Sequence, residues 1–245
     1  MQEALDEVQK LARAGKTILF VGTKKQSTEI IKTEALRCGM PHITHRWMGG
    51  MLTNFSTVRK SISRMEEIEK MKTDGTFDEL TKKEGLMLQR EQDKLNDALG
   101  GIKNMGRLPG AIFVVDIIKE HLAVNEAIKL HIPIIAMVDT NSDPDVPDYI
   151  IPCNDDSART IQLVTTQIAD AIIEGNAERE AQQEEDVMEQ AAADAKGDSD
   201  DEVDVKDAAK GTKLRSRRKP KGDKKKDKAD NADAKADADS NDEEE

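Results

Sequence analysis

Aromatic side chains and cysteines are scarce in this chain of 245 residues. Only 2% of its residues are aromatic, and its two cysteines, Cys38 and Cys153, lie far apart in the sequence. Two isolated cysteines do not make the framework of a small disulfide-stabilised protein, so a reducing cytosol is the simpler assignment. No apolar run approaches the roughly 20 residues of a membrane span. The acidic start Met1–Glu7 has no apolar core and is not a targeting peptide. No membrane partner is expected.

Motifs for catalysis and nucleotide binding are missing as well. The sequence contains no Gly-x-Gly-x-x-Gly fingerprint, no phosphate loop and no nucleophile elbow. Cys38, His42 and His45 have the residue types of zinc ligands, but a fourth ligand is lacking, so an ordinary buried Cys and His are expected. We therefore expect no metal, no cofactor and no catalytic residue, and the chain is not predicted to be an enzyme.

Oxygen-bearing side chains that follow the predicted strands leave one alternative open. They are Asp116, the run Asp139–Asp143 and the run Asn154–Asp156. In an open α/β sheet, ligands collect outside the carboxyl ends of the strands, and carboxylates there suit a hard cation such as Mg²⁺. The same residue types also form turns and helix caps, which is the interpretation we prefer. A small-molecule-binding α/β enzyme or sensor using these aspartates is the alternative function.

The formal net charge of −12 is unevenly distributed along the chain. Residues 176–245 contain 23 acidic and 15 basic residues, a net charge of −8, whereas 26 acidic and 22 basic residues give 1–175 only −4. The acidity is therefore mostly a property of the tail and does not argue against a nucleic-acid partner for the first part.

The tail from residue 176 onward is predicted to be disordered, because it has too few apolar residues to form a core. Glu178–Met188 could still extend the last helix. A basic segment from Lys213 to Lys228 interrupts the acidic sequence. It could contact phosphates, act as a localisation signal or serve as a solvated, self-screening tail, and the last interpretation is preferred.

Apolar periodicity divides residues 1–175 into alternating helices and strands. Apolar runs typical of strands buried on both faces of a parallel sheet occur at 17–21, 111–115, 133–138 and 149–151, with a shorter candidate at 42–44. Amphipathic helices are predicted at about 4–12, 27–37, 121–130 and 157–174, the last closed by Gly175. This alternation predicts an α/β domain over 1–175 with a doubly wound, flavodoxin-like parallel sheet.

Between the second and third strands, residues 54–104 change to two long charged helices. The first carries apolar residues at coiled-coil spacing: Phe55, Val58, Ile62 and Met65. The second carries a narrower stripe: Leu88, Leu95, Leu99 and Ile102. A turn at Asp74-Gly75 joins them, and the second helix is expected to begin near a capping box at Thr76–Glu79 or Thr81–Glu84. An inserted antiparallel coiled-coil hairpin follows, either as a strut or as a lever toward a second partner.

The segment His45-Arg-Trp-Met-Gly-Gly-Met-Leu-Thr-Asn54 joins the second strand to this hairpin and holds the only tryptophan. A cation, a large flat aromatic ring and flexible glycines would let such a loop approach a polyanion backbone closely. The alternative is that Trp47 is a hydrophobic plug and that the glycines only turn the chain.

Several motifs resemble the bacterial ribosomal protein S2 family of the small subunit. They are Phe20–Lys24, the segment 45–54, Gly75–Asp78, Leu80–Glu84, Leu108-Pro109 with 111–116, Glu126-Ala127, Ile132-Pro133, Val138–Pro144 and Ile151–Asp156. They occur in the family's order over residues 1–175. The family usually has a further N-terminal segment that adds to the sheet and touches RNA, and we expect this chain to lack it. Cys153 stands where the family usually has glycine.

The resemblance implies a structural constituent of the small ribosomal subunit in the cytoplasm, bound to small-subunit ribosomal RNA between head and body on the solvent side. It also implies contacts with neighbouring ribosomal proteins and a platform for recruiting ribosomal protein S1, which helps to capture messenger RNA. Basic residues are expected to contact phosphates, and other loop residues to stack on or hydrogen-bond nucleotides. The expected RNA-binding residues are Lys24, Lys25, His45, Arg46, Trp47, Asn54, Arg59, Lys60, Arg64 and Lys103. Within this set, Trp47 is expected to pack inward while Arg46 and Asn54 face RNA.

Overall fold

A computed structural model describes residues 1–197, in which helices and strands alternate along the chain. The helices are α1 (Gln2–Arg13), α2 (Thr28–Arg37), α3 (Phe55–Thr73), α4 (Lys82–Leu99), α5 (His121–Lys129) and α6 (Ala158–Gly197). The strands are β1 (Ile18–Val21), β2 (His42–Ile43), β3 (Ala111–Val115), β4 (Ile134–Val138) and β5 (Tyr149–Pro152). The predicted disorder of 198–245, with the basic segment inside it, lies outside the described residues.

The five strands form one parallel sheet in the order β2-β1-β3-β4-β5. Phe20 of β1 lies opposite His42 on one side and Phe113 of β3 on the other, so β1 is an interior strand and β2 is an edge strand. This order is that of flavodoxin-like sheets, with the direction of winding reversing between β1 and β3. The predicted α/β class and doubly wound topology are confirmed.

Both faces of the sheet are covered, which explains the continuous apolar runs of its strands. Phe20 points to one core with residues of α1, α2 and α6, and its ring meets that of Phe113 edge to face at 5.4 Å between centroids. Leu19 and Val21 point to a second core, which contains α5 residues, Trp47 and residues of the hairpin base. The segment joining β2 to α3 is therefore part of this second core.

The inserted hairpin is confirmed, and α3 and α4 form its two arms. Gly75 turns the chain with φ of 77°, in the left-handed region that suits glycine. Thr81 then caps α4 through a capping box, in which the Glu84 N–H donates to Thr81 Oγ1 (3.4 Å) and the Thr81 N–H donates to Glu84 Oε2 (3.1 Å). Ile62 and Leu99 are buried in the second core, so the base of the hairpin is fixed to the sheet domain.

Helix α6 does not end at Gly175, so the prediction of a helix stop there is wrong. Gly175 is buried against α1, and a Cβ at this position would lie 2.7 Å from Ala12 Cβ and 2.7 Å from the Gln9 carbonyl oxygen. Glycine here permits a close crossing of two helices rather than a break. Beyond it, Glu178 forms an ion pair with Arg13, so this part of the predicted tail packs on the domain.

The domain limits, 1–175 with the insertion at 54–104, stay a prediction, because the backbone of α6 runs through residue 175 without interruption. Within residues 1–197, no helix combines the length and the apolar character that a bilayer crossing requires.

Candidate nucleic-acid interface

The β2–α3 loop (His45–Asn54) leaves the carboxyl end of edge strand β2 and leads into the hairpin. Gly50 has φ of 88°, a conformation that L side chains rarely adopt, and its carbonyl oxygen accepts a hydrogen bond from the Asn54 N–H at 2.9 Å. Glycine is therefore required by the turn at this position. Few other backbone hydrogen bonds hold the loop together, so its shape depends on a partner outside it.

That partner is a single buried carboxylate on α5. Glu126 is 8% exposed, and its Oε1 accepts hydrogen bonds from the Trp47 indole N–H (3.1 Å) and the Gly50 N–H (2.7 Å). Its Oε2 accepts from the N–H groups of Leu52 (2.9 Å) and Thr53 (3.0 Å) and from the Thr53 hydroxyl (3.1 Å). All five groups donate, which matches an ionised carboxylate that can only accept.

The pKa of the Glu126 carboxyl reflects two opposing effects. Burial by itself raises this pKa, but the hydrogen bonds from Thr53, Leu52, Trp47 and Gly50 outweigh burial and lower it below its ordinary value of 4.5. The carboxylate is therefore ionised at neutral pH. Its charge stabilises the loop through charge-assisted hydrogen bonds in a buried position, where such bonds are strong.

The loop separates inward from outward side chains. Trp47 is 4% exposed and packs in the second core with Met51 and Leu52, so the expectation that it packs inward is confirmed. Its ring cannot stack on a nucleotide in this position, and the expected RNA contact is not supported there. His45 and Arg46 are exposed, and neither forms an ion pair or side-chain hydrogen bond with the residues that the structure describes.

Asn54 is exposed at the junction with α3 and supports the start of that helix. Its Oδ1 accepts hydrogen bonds from the hydroxyls of Thr57 (2.9 Å) and Ser56 (3.5 Å), while its backbone carbonyl accepts from the Thr57 N–H (3.0 Å). Its amide Nδ2 has no partner among the described side chains and backbone groups. The side chain of Asn54 therefore accepts from hydroxyls of the first turn of α3 and not from its backbone N–H groups, and its amide donor is left for another acceptor.

Two cations on the second turn of α3 lie next to the loop in sequence. Arg59 is exposed and donates one hydrogen bond from Nη1 to the Met105 carbonyl at 3.2 Å, which leaves the rest of its guanidinium for another acceptor. Lys60 is exposed, and within residues 1–197 it has no ion pair. Both can reach a phosphate without breaking an intramolecular salt bridge.

Two further expected cations are already paired along the hairpin. Arg64 contacts Glu67 and Glu91, both at 3.4 Å, and hydrogen bonding to these carboxylates raises the pKa of its guanidinium. Lys103 contacts Glu69 at 2.5 Å. Exposed pairs of this kind contribute little to stability, so a phosphate could displace either carboxylate.

Lys24 is half-buried just after the carboxyl end of β1, where three carboxylates hold it. Its Nζ is 2.8 Å from Asp116, 2.8 Å from Asp155 and 2.8 Å from Asp156, and its side chain is 12% exposed. Burial lowers the pKa of Lys24, but hydrogen bonds to the three carboxylates outweigh burial and raise it above 10.5. The expectation of an RNA contact is not supported at Lys24, because its ammonium group is fully engaged, whereas the neighbouring Lys25 is exposed.

The other strand-end oxygens serve turns and caps, as preferred from the sequence. Asp139 Oδ1 accepts from the Thr140 N–H at 2.7 Å, and Asn154 Oδ1 accepts from the N–H groups of Asp156 (2.8 Å) and Ser157 (3.0 Å). Among the described residues, no three His, Cys, Asp or Glu side chains converge in a way that could hold a metal ion.

The suggested zinc ligands do not form a site in this structure. Cys38 is buried, its thiol donates to the Ala35 carbonyl at 3.5 Å, and burial raises its pKa to about 11. His42 is half-buried, and burial together with Lys32 lowers its pKa. The side chain of His45 is exposed on the loop. An ordinary buried cysteine therefore describes Cys38.

The α/β domain that carries this loop matches a known family over most of its length. The family model for "Ribosomal protein S2" matches residues 1–175. The chain belongs to the ribosomal protein S2 family.

Relatives in this family cover most of the chain. Small ribosomal subunit protein uS2 of Chlorobaculum parvum is 56% identical over 200 residues, which are 81% of this chain and 80% of that protein. The uS2 protein of Chloroherpeton thalassium is 58% identical over 175 residues, or 71% and 70% of the two chains. That of Salinibacter ruber is 55% identical over 185 residues, or 76% and 58%.

The sequence of this S2-family chain does not by itself identify Glu126 as the acceptor that holds the β2–α3 loop. A signal was present, because Glu126 lies among the buried apolar positions Ala123, Val124 and Ala127 of α5. An acidic residue on the buried face of a helix needs donors nearby, since an unpaired buried charge is strongly unfavourable. The identity of those donors depends on how β2 and α5 are brought together by the sheet.

Proposed function

We propose that this chain is a structural constituent of the small ribosomal subunit and that it binds the subunit's ribosomal RNA through the β2–α3 loop and the adjoining base of the hairpin. The relatives named above are small ribosomal subunit proteins, and their family is also that of this chain. The place of the protein is accordingly the small subunit of the cytoplasmic ribosome, next to ribosomal RNA and other ribosomal proteins.

The observation that supports the RNA contact is the rigid loop with its outward cation. Glu126 accepts from the backbone N–H groups of Gly50 and Leu52 and from the Trp47 indole, while Arg46, next to Trp47, remains exposed. Arginine binds phosphate with two parallel hydrogen bonds, and a loop that is already ordered loses little conformational entropy on binding. Arg59 and Lys60 extend the basic surface along α3. Lys25, His45 and Asn54 are further proposed contacts, and Arg64 and Lys103 are proposed contacts that require exchange of a salt bridge.

The proposal is tested by co-sedimentation of the purified full chain with small subunits that lack this protein. Arg46→Glu replaces a proposed phosphate ligand with a repelling charge, and we expect it to weaken association by about tenfold or more. Lys70→Glu is the matched control, because Lys70 is an exposed cation toward the far end of α3. It makes the same charge change, and we expect an effect of about twofold or less.

Equal effects of the two substitutions would show that only total charge matters and would remove the loop from the proposed interface. A full chain that stays in the free fractions at moderate salt would contradict the RNA-binding proposal as a whole.

Recruitment of ribosomal protein S1 is the finer part of the proposal and rests on the family resemblance. It predicts that small subunits lacking this chain retain less S1 and that adding the purified chain restores it. If S1 binds equally well to subunits with and without this chain, the platform role is wrong.

We further propose that the protein is not an enzyme and that the alternative small-molecule function does not apply. The strand-end groups that would bind a ligand are engaged, with Lys24 on Asp116 and Asp155 and backbone N–H groups on Asp139 and Asn154. A thermal-shift screen with nucleotides and sugar phosphates is expected to give no stabilisation. A saturable shift that disappears in Asp139→Ala would favour the alternative.

A further inference from the structure

We propose that Glu126 is a positioning residue of the RNA interface, whose carboxylate holds the two RNA-facing ends of the β2–α3 loop in place without touching RNA itself. This inference rests on the proposed RNA contact of the loop. The residue proposed to hold the loop in its conformation lies on α5, 72 positions after the end of the loop at Asn54.

The two oxygens of Glu126 hold the two limbs of the loop separately. Oε1 accepts from Trp47 and Gly50, and Oε2 accepts from Leu52 and Thr53. The proposed ligand Arg46 directly precedes the first anchored residue, and Asn54 directly follows the last one. One carboxylate therefore links the two parts of the loop that carry these outward side chains.

The loop contributes few bonds of its own that could replace this anchor. Within it, the Asn54 N–H donates to the Gly50 carbonyl at 2.9 Å, and the Met48 N–H approaches Met51 Sδ at 3.3 Å, a weak acceptor. Without Glu126, the N–H groups of Gly50, Leu52 and Thr53 would need water, and the chain would have to move to reach it. The outward residues would then lose their fixed spacing.

An ionised acceptor is required here, and glutamine cannot substitute for it. Glu126→Gln keeps the size of the side chain but replaces one carboxylate oxygen with an NH2 group that donates. Whichever way the amide turns, its NH2 faces at least two groups that also donate. One limb of the loop is therefore released while the packing of α5 is kept.

The chain offers a matched control in a second buried glutamate. Glu120 precedes α5, is 2% exposed, and accepts hydrogen bonds from the backbone N–H (2.8 Å) and hydroxyl (2.5 Å) of Thr23. Glu120→Gln applies the same chemical change at the same edge of the sheet but to the β1–α2 turn. Both bonds end on one oxygen, and glutamine keeps one oxygen acceptor, so this variant reports the effect of removing a buried negative charge at this edge without altering the β2–α3 loop.

The experiment compares the full-length wild type, Glu126→Gln, Glu120→Gln and Arg46→Glu in two assays. The first is fluorescence of Trp47, the only tryptophan, whose indole bonds directly to Glu126. The second is affinity for small subunits lacking this protein, measured over a range of salt concentrations. Thermal unfolding of each variant establishes that it is folded at the assay temperature.

We expect Glu126→Gln to shift the Trp47 emission to longer wavelength and to weaken binding about tenfold. The slope of log affinity against log salt concentration should become shallower by about one, as it does when one phosphate contact is lost. Glu120→Gln should leave the emission unchanged and binding within about twofold. Wild-type affinity in Glu126→Gln, or equal losses in the two glutamine variants, would overturn the positioning role.

Arg46→Glu separates this inference from the function on which it rests. If Arg46→Glu binds like the wild type, the proposed RNA contact of the loop fails, and the positioning role fails with it. If Arg46→Glu weakens binding and Glu126→Gln does not, the RNA contact stands and only the positioning role is wrong.

Discussion

Replacing Lys24 with methionine tests whether its ammonium group holds the carboxyl ends of the strands together. The side chain keeps nearly the same length but loses its charge, so Asp116 and Asp155 are left as neighbouring buried anions without a counter-ion. These carboxylates are 10% and 1% exposed, respectively. Asp156 is 71% exposed and solvated, so it contributes little to the expected effect.

The size of the expected loss in the free energy of unfolding follows from these contacts. At 2.8 Å, each of the two buried pairs has an attraction of about 6 kcal/mol at an effective dielectric constant of about 20, before the desolvation of the charges is subtracted. The cost of desolvating the charges offsets most of this attraction. Removing one partner, however, leaves the other charges buried and unpaired, which typically destabilises a protein by about 3–5 kcal/mol. We expect Lys24→Met to lower the free energy of unfolding by about that amount at pH 7.

The assay is urea unfolding of the full chain at several pH values, with Lys25→Met as the control, because Lys25 is the exposed neighbour. In the wild type, the raised pKa of Lys24 means that its contribution is complete below 10.5 and is lost only as the pH rises through the folded-state pKa, so it is constant between pH 5 and 7. In Lys24→Met, the deficit comes from the uncompensated charge of two neighbouring buried carboxylates, so it should be smaller in acid than at pH 7.

A loss below about 1 kcal/mol at pH 7 would show that the cluster is no more than a surface ion pair. A deficit of the same size at pH 7 and pH 4.5 would refute the electrostatic reasoning, because the lost packing of Lys24 does not depend on pH. An equal loss in Lys25→Met would point to the β1–α2 turn rather than to the charge.

Two further predictions concern the helix crossing and the buried glutamate. Gly175→Val places a Cβ 2.7 Å from Ala12 Cβ and 2.7 Å from the Gln9 carbonyl oxygen. It should lower the free energy of unfolding by about 1–3 kcal/mol in urea titrations. Gly106 has open space around it, so Gly106→Val should change this free energy by less than about 1 kcal/mol. Similar losses in both would mean that α1 and α6 are not in close contact. For Glu126, a folded-state pKa below 4.5 means that its stabilisation is complete above that value and is lost as the pH falls through the lower folded-state pKa. The difference in unfolding free energy between wild type and Glu126→Gln should therefore be constant from pH 7 to about pH 5 and decrease in acid; a difference that does not change down to pH 3 would contradict an ionised anchor.

Periodicity in the sequence determined most of the fold. Strands β1, β3 and β4 are continuous apolar runs because both faces of a parallel sheet are covered, and this pattern is visible without coordinates. The hairpin was equally predictable, because the seam of α3 and the capping box at Thr81 are local signals that depend only on neighbours a few residues away.

The end of α6 shows where such local signals fail. Glycine after an amphipathic helix usually marks its stop, and the residues around Gly175 predict such a stop. Whether a glycine breaks a helix or permits a close crossing depends on what lies against it, and here α1 lies against it. That information is not contained in the residues around position 175.

At the proposed interface, too, the local sequence predicts one part of the β2–α3 loop's arrangement and tertiary packing decides the rest. Its composition by itself indicated an RNA-facing segment and left the direction of Trp47 to be decided by packing. The tertiary structure placed Trp47 inside, left Arg46 outside, and supplied Glu126 from a helix far along the chain as the acceptor for the loop's donors. The tertiary structure likewise makes Lys24 a half-buried, paired cation rather than a free surface cation, because β3 and the segment after β5 bring Asp116 and Asp155 to the end of β1. The sequence therefore determined which elements form, since their periodicity is local, whereas the partner of each charged side chain was decided by the parallel order of the sheet.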